Sequence, residues 1–65
     1  MEDFKISLAA ARVNAGLSQK ELADKMNVSR FTICNWESGK VKIGTAQLFL
    51  FCELCGIPRK YIFLP

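Results

Sequence analysis

Histidine is absent from this chain, and its absence removes the imidazole general base, the Ser-His-Asp and Cys-His nucleophile systems and the Cys2His2 zinc site. Hydrolytic functions are therefore unexpected. Proline is confined to Pro58 and Pro65, which leaves everything before Pro58 free to form helices. No apolar run approaches the ~18 residues of a membrane span, and the longest, Leu48 to Cys52, stops at Glu53. The start Met1-Glu2-Asp3 is acidic where a secretory signal carries cations. Three cysteines are an odd number, which does not suit a closed disulfide framework and fits a reducing compartment. Together these readings predict a cytoplasmic protein with no membrane partner.

What is present is short and apolar. The chain has 65 residues, 51% of them hydrophobic, with 9 Lys and Arg against 6 Asp and Glu and a net charge of +3. A domain of this length buries only about 60% of the surface its unfolded chain exposes. Its core must be dense, and oligomerisation would help it.

The middle of the chain holds no alternating β-branched run, so helices are the natural reading, punctuated by glycine. Phe4 to Ala15 is Ala-rich, with Leu8, Arg12 and Ala15 at helical spacing, and Gly16 follows where a helix ends. Ser18-Gln19-Lys20-Glu21 has the capping-box pattern, which starts a second helix whose apolar stripe is Leu22, Ala23 and Met26. Asn27 tolerates positive φ and can end that helix and turn the chain. Ser29 is a further N-cap candidate for a helix over Arg30 to Glu37 that buries Ile33 and Trp36 and stops at Ser38-Gly39. A fourth helix runs from Thr45 to Cys55 and ends at Gly56, and Pro58 can open a last helical turn through Tyr61 to Phe63. The expected fold is all-α, a compact unit of four to five helices without a sheet, forming one domain over residues 1–65. Leu22, Ala23, Val28, Ile33, Trp36, Leu48 and Cys52 are its expected core.

Two short helices joined by a tight turn, the second with polar residues opposite its apolar face, have the geometry of a helix-turn-helix. Gly16-Leu17-Ser18-Gln19-Lys20-Glu21-Leu22-Ala23, then Val28-Ser29 and Ile33, then Trp36-Glu37-Ser38-Gly39-Lys40, resemble the phage repressor and Cro-type helix-turn-helix family. The resemblance extends through Gly56-Ile57 and covers nearly the whole chain, with the motif proper over residues 19–38.

That resemblance implies a lambda-repressor-like fold and a transcriptional regulator, repressor or Cro-like, that places the Arg30–Glu37 helix in the major groove of double-stranded DNA. It also implies a homodimer on a two-fold operator. Gln19 matches a position that touches a backbone phosphate, and a helix N-terminus there adds amide donors. Ser29 and Thr32 match backbone- or edge-contacting positions, and Arg30, Phe31 and Asn35 match the base-reading ones. Arg can bind guanine O6 and N7, Asn can bind adenine N6 and N7, and an aromatic ring can lie on a thymine methyl. Lys40 and Lys42 would meet phosphate, which positions without specifying. Arg12 and Glu37 match positions that pair with each other. The chain departs from the family at Asn27, where Gly is usual, and at Phe31, where a polar reader is common. Phe31 either reads a methyl group or packs on a neighbour and leaves Arg30 as main reader.

The cysteines invite a second interpretation, since Cys52 and Cys55 form a CxxC spacing and Cys34 lies upstream. A structural zinc wants four ligands, and this pair falls inside an apolar helix where Cys acts as a small hydrophobe, so no metal or other cofactor is expected. No acid, base and nucleophile converge, so neither an enzyme nor a small-molecule ligand is expected. The last third has more apolar residues than one copy needs, and Phe49, Leu50, Tyr61 and Leu64 are the expected dimer surface. Small size suggests a phage or mobile-element regulator. A different class remains: a protein-interaction module on the same scaffold, antirepressor or antitoxin-like, acting through that C-terminal apolar surface.

Overall fold

The computed structural model describes residues 4–64; the acidic Met1-Glu2-Asp3 start and Pro65 lie outside the described residues. Four α-helices follow one another: α1 (Leu8–Asn14), α2 (Gln19–Met26), α3 (Arg30–Ser38) and α4 (Thr45–Cys55). Each of the first three begins at a serine whose hydroxyl accepts an amide of the first turn: Ser7 from Ala10, Ser18 from Glu21 and Ser29 from Thr32. At α2 the capping box is complete, because Glu21 also accepts from the Ser18 amide at 2.8 Å. That amide, and then the Ser18 hydroxyl, hold the Glu21 carboxyl below its ordinary pKa. Its contribution to stability is accordingly present above the ordinary carboxylate value and is lost as pH falls through the lower folded one.

Three of the turns are built alike. A residue with positive φ ends the helix, and the apolar residue after it sends its amide back to the helix: Gly16-Leu17, Asn27-Val28 and Gly56-Ile57. Leu17, Val28 and Ile57 each lie half-buried against the core, so every ending also points the chain inward. Asn27 takes φ 59° and ψ 43°, and it is the non-glycine residue with positive φ among the described residues. Its amide bonds to the Ala23 and Asp24 carbonyls. The second turn of the sequence reading therefore stands where it was expected.

Leu8, Ala11, Leu22, Ala23, Met26, Ile33, Trp36, Ile43, Leu48, Phe51, Cys52 and Ile62 form one buried cluster. All the expected core residues lie in it except Val28, which is half-buried at its edge because it sits in the turn itself. Three further expectations are corrected. The first helix starts at Leu8, not Phe4, because Ser7 caps it and Ile6 is drawn into a strand. Ala11 takes the inward place next to Leu8, while Ala15 is exposed in the turn. The last helical turn is a 3-10 turn over Arg59–Tyr61 that does not reach Phe63.

Instead of no sheet there is a short parallel ladder, in which β1 (Ile6–Ser7) pairs with β2 (Ile62–Phe63), Ile6 opposite Ile62. A three-residue 3-10 turn has no strong tendency to propagate, and Ile62 gains both a ladder partner and a place in the core by extending. The four helices and this clasp position the α2–α3 pair. Among the described residues no helix is long and apolar enough to cross a membrane.

Replacing Asn27 by alanine keeps the left-handed backbone and removes the residue type that tolerates it. We expect Asn27→Ala to lower stability by about 1 kcal/mol and Tm by about 4–8 °C, and Asn27→Gly to match or exceed the parent. Thermal melts of the three proteins check this.

Candidate nucleic-acid interface

α2 and α3 meet across the Asn27 turn, and their shared inner surface is Leu22, Ala23, Met26, Ile33 and Trp36. The helical period then decides the rest of α3. With Ile33 and Trp36 inward, Arg30, Phe31, Cys34 and Ser38 are exposed and Thr32 and Asn35 are half-buried on the flank. Ser29 is spent as cap, its oxygen 3.2 Å from the Thr32 amide and 3.1 Å from the Thr32 hydroxyl. The expected readers Arg30, Phe31 and Asn35 thus share the outer side of one helix. Lys40 and Lys42 follow it in the exposed loop.

Phe31 is 71% exposed, and the Arg30 guanidinium carbon lies 5.8 Å from its ring centroid. Phe31 thus lies outside the core with Arg30 as its neighbour, and both alternatives for its ring stay open. Cys34 stands one turn beyond both, on the same side. Counting turns from Arg30 identifies it as part of this surface, a placement hidden by reading the cysteines as a possible metal set.

The last turn of α3 is held by a polar knot. Arg12 donates from Nε to Glu37 Oε2 at 2.6 Å and from Nη2 to Oε1 at 3.3 Å, and its Nη1 donates to the Leu17 carbonyl at 2.9 Å. Gln19 Nε2 donates to the same Oε1 at 3.0 Å. The side chains of Arg12 and Glu37 retain only 14% and 7% of their exposure. The pair expected from the sequence is present, joined by a third member. Gln19, assigned to a phosphate, spends one amide hydrogen on Glu37, so its second amide hydrogen is the one it could give to a phosphate.

This arrangement has an electrostatic effect. Glu37 is the one carboxylate of α3, and the knot turns it inward against a guanidinium. The outer side of α3 is left with Arg30 and no acidic group, which favours the approach of a polyanion. On α2, exposed Lys20 and Asp24 pair at 3.2 Å, beside a groove of about 300 Å³ that also involves Val28, Ser29 and Arg30.

The remaining sequence candidates are spread over the rest of the surface. Phe49, 54% exposed, lies under the Arg59 guanidinium, whose carbon is 4.5 Å from the ring centroid, and Leu50 is exposed beside it in sequence. Leu64 lines a separate shallow cavity of about 140 Å³ with Trp36, Gly39, Val41, Lys42 and Ile43. Tyr61 is half-buried, in a tilted pair with Phe4 at 6.1 Å, and so offers less free surface than expected. Burial raises the Cys52 and Cys55 thiols, and Cys55, with the Cys52 thiol adding to the effect, is pushed up to about 11. Both shifts disfavour the thiolate that thiol exchange uses. Among the described residues no three His, Cys, Asp or Glu side chains gather.

A small helical domain with two capped helices on a tight turn, the second presenting Arg30 and no carboxylate outward, defines a DNA-binding class. The sequence profile of the helix-turn-helix family matches residues 8–62, and the chain belongs to that family, in its Cro/C1 type. It is a DNA-binding transcriptional regulator. No curated protein and no solved structure matches the chain.

Glu37→Ala removes the acceptor of both Arg12 and Gln19 and leaves a guanidinium largely out of water. We expect a loss of about 3 kcal/mol in urea unfolding. In a thiol-titration at pH 8, Cys34 should react in the native protein, while Cys52 and Cys55 should react only as it unfolds.

Proposed function

We propose that this regulator is a repressor or Cro-like protein that inserts α3 into the major groove and binds a pseudo-palindromic operator as a homodimer. The observation that carries the proposal is the outer side of α3, where Arg30, Phe31 and Asn35 are exposed or half-exposed on a helix whose only carboxylate is turned away. Arg30 pairs with guanine O6 and N7, Asn35 with adenine N6 and N7, and Phe31 lies on a thymine methyl. Gln19, at the start of α2, contacts a backbone phosphate, and Ser29 and Thr32, at the start of α3, contact backbone or base edges. Lys40 and Lys42 bind phosphate and set register. The regulator acts by occupying its site and excluding polymerase or a competing protein.

Two-fold pairing is supported on two grounds. Phe49, Leu50 and Leu64 are apolar and exposed, and burying such surface yields roughly 25 cal/mol per Å² before the costs of association. One nine-residue helix also touches too few base edges to select a site in a genome, and a second copy doubles the readout. The two reading helices then stand about 34 Å apart, one turn of DNA. Residues 1–65 act as one unit in this scheme, with the motif at 19–38. The same exposed Phe49 and Leu50 favour a second reading, an antirepressor or antitoxin-like module that works by binding a protein.

Selection of bound sequences from random duplexes separates the two, since only the first predicts a preferred, two-fold site. Arg30→Ala and Asn35→Ala should each relax one base pair and cost about 1–3 kcal/mol of binding. Lys40→Ala should weaken all sequences alike and lower the salt slope by about 1 per subunit. Base preference altered by Lys40→Ala but not by Arg30→Ala would refute the groove assignment. Sedimentation with operator duplex should give two subunits per duplex at saturation.

A further inference from the structure

Adjacent residues on a helix do not ordinarily face each other, yet Arg30 reaches along α3 until its guanidinium carbon is 5.8 Å from the Phe31 ring centroid. That is within the range of a cation–π contact. The ring itself is 71% exposed, more than Phe4, Phe49 or Phe63 at 54–57%. One turn further on, the neighbour on the same side is Cys34, a small side chain that leaves the space beside the pair open.

The spacing limits what such a pair can touch. Successive bases along a strand are about 3.4 Å apart. When the Arg30 fork lies in the plane of a guanine, a ring centred 5.8 Å away falls within two base steps, and its apolar surface meets the base pair next to that guanine. The apolar group a base pair offers in the major groove is the C5-methyl of thymine. 5-Methylcytosine carries the same group at the same carbon. Unmodified cytosine offers only its N4 donor, which neither a guanidinium nor a phenyl ring can accept.

We infer that Arg30 and Phe31 act as one unit that recognises a guanine adjoined by a 5-methylpyrimidine, so that 5-methylcytosine replaces thymine at that position and unmodified cytosine does not. The inference rests on the DNA reading proposed above and makes binding responsive to cytosine methylation.

The test begins with the half-site obtained by selection. In that duplex the pyrimidine beside guanine is set to thymine, deoxyuridine, 5-methylcytosine or cytosine, and the affinity of the whole protein is measured for each. Deleting the methyl, as thymine to deoxyuridine or 5-methylcytosine to cytosine, should weaken binding about 4-fold per half-site. Phe31→Ala should abolish this difference while the preference for guanine persists, and Phe31→Leu should keep most of it. Three results would each overturn the inference alone: equal binding of thymine and deoxyuridine, a methyl effect unchanged in Phe31→Ala, or a selected half-site with no thymine beside guanine. Selection that returns no preferred sequence would remove the DNA reading as well.

Discussion

The carboxylate of Glu37 fixes where α3 lies. It accepts from Arg12 on α1 and Gln19 on α2, and Arg12 also binds the carbonyl of Leu17 in the turn between those helices. Two helices and a turn thus converge on the last turn of α3. A carboxylate so far removed from water is tolerated only while its acceptors are filled, so the angle of α3 to the rest of the domain is set by chemistry as well as by packing. The same contact clears the outer side of α3 of negative charge. Position and polarity of the interface share one cause.

Around that knot, the helix ends do most of the remaining work of direction. Each of the three turns places an apolar residue inward just after a left-handed residue, so the core receives Leu17, Val28 and Ile57 from the connections as well as side chains from the helices. A chain of this size has few residues to spare for loops, and using turn residues as core residues enlarges its buried surface.

What was legible in the sequence follows from how local each signal is. Ser18, Ser29, Asn27 and Gly56 act within a few residues of themselves, and their chemistry could be read directly from spacing. The Arg12–Glu37 pair spans distant elements and became readable only through family resemblance. Gln19 shows the limit of that route, because the direction of its amide depends on a carboxylate eighteen positions away. The β1–β2 ladder carried no signal, since a two-residue strand is too short for alternation to register. In α4 the exposure of Phe49 was legible as surplus to the face of Leu48 and Cys52, whereas the burial of Phe51 was not, because Leu48, Phe49, Leu50 and Phe51 run consecutively around the helix.

The ladder also bears on the order in which the domain assembles. Local helical contacts form quickly, whereas pairing Ile6 with Ile62 closes almost the whole length of the chain and brings Ile62 into the core that holds Ile33 and Trp36. The α2–α3 pair can therefore form from contacts close in sequence, while the packing that steadies it is complete only when the two ends of the described chain meet.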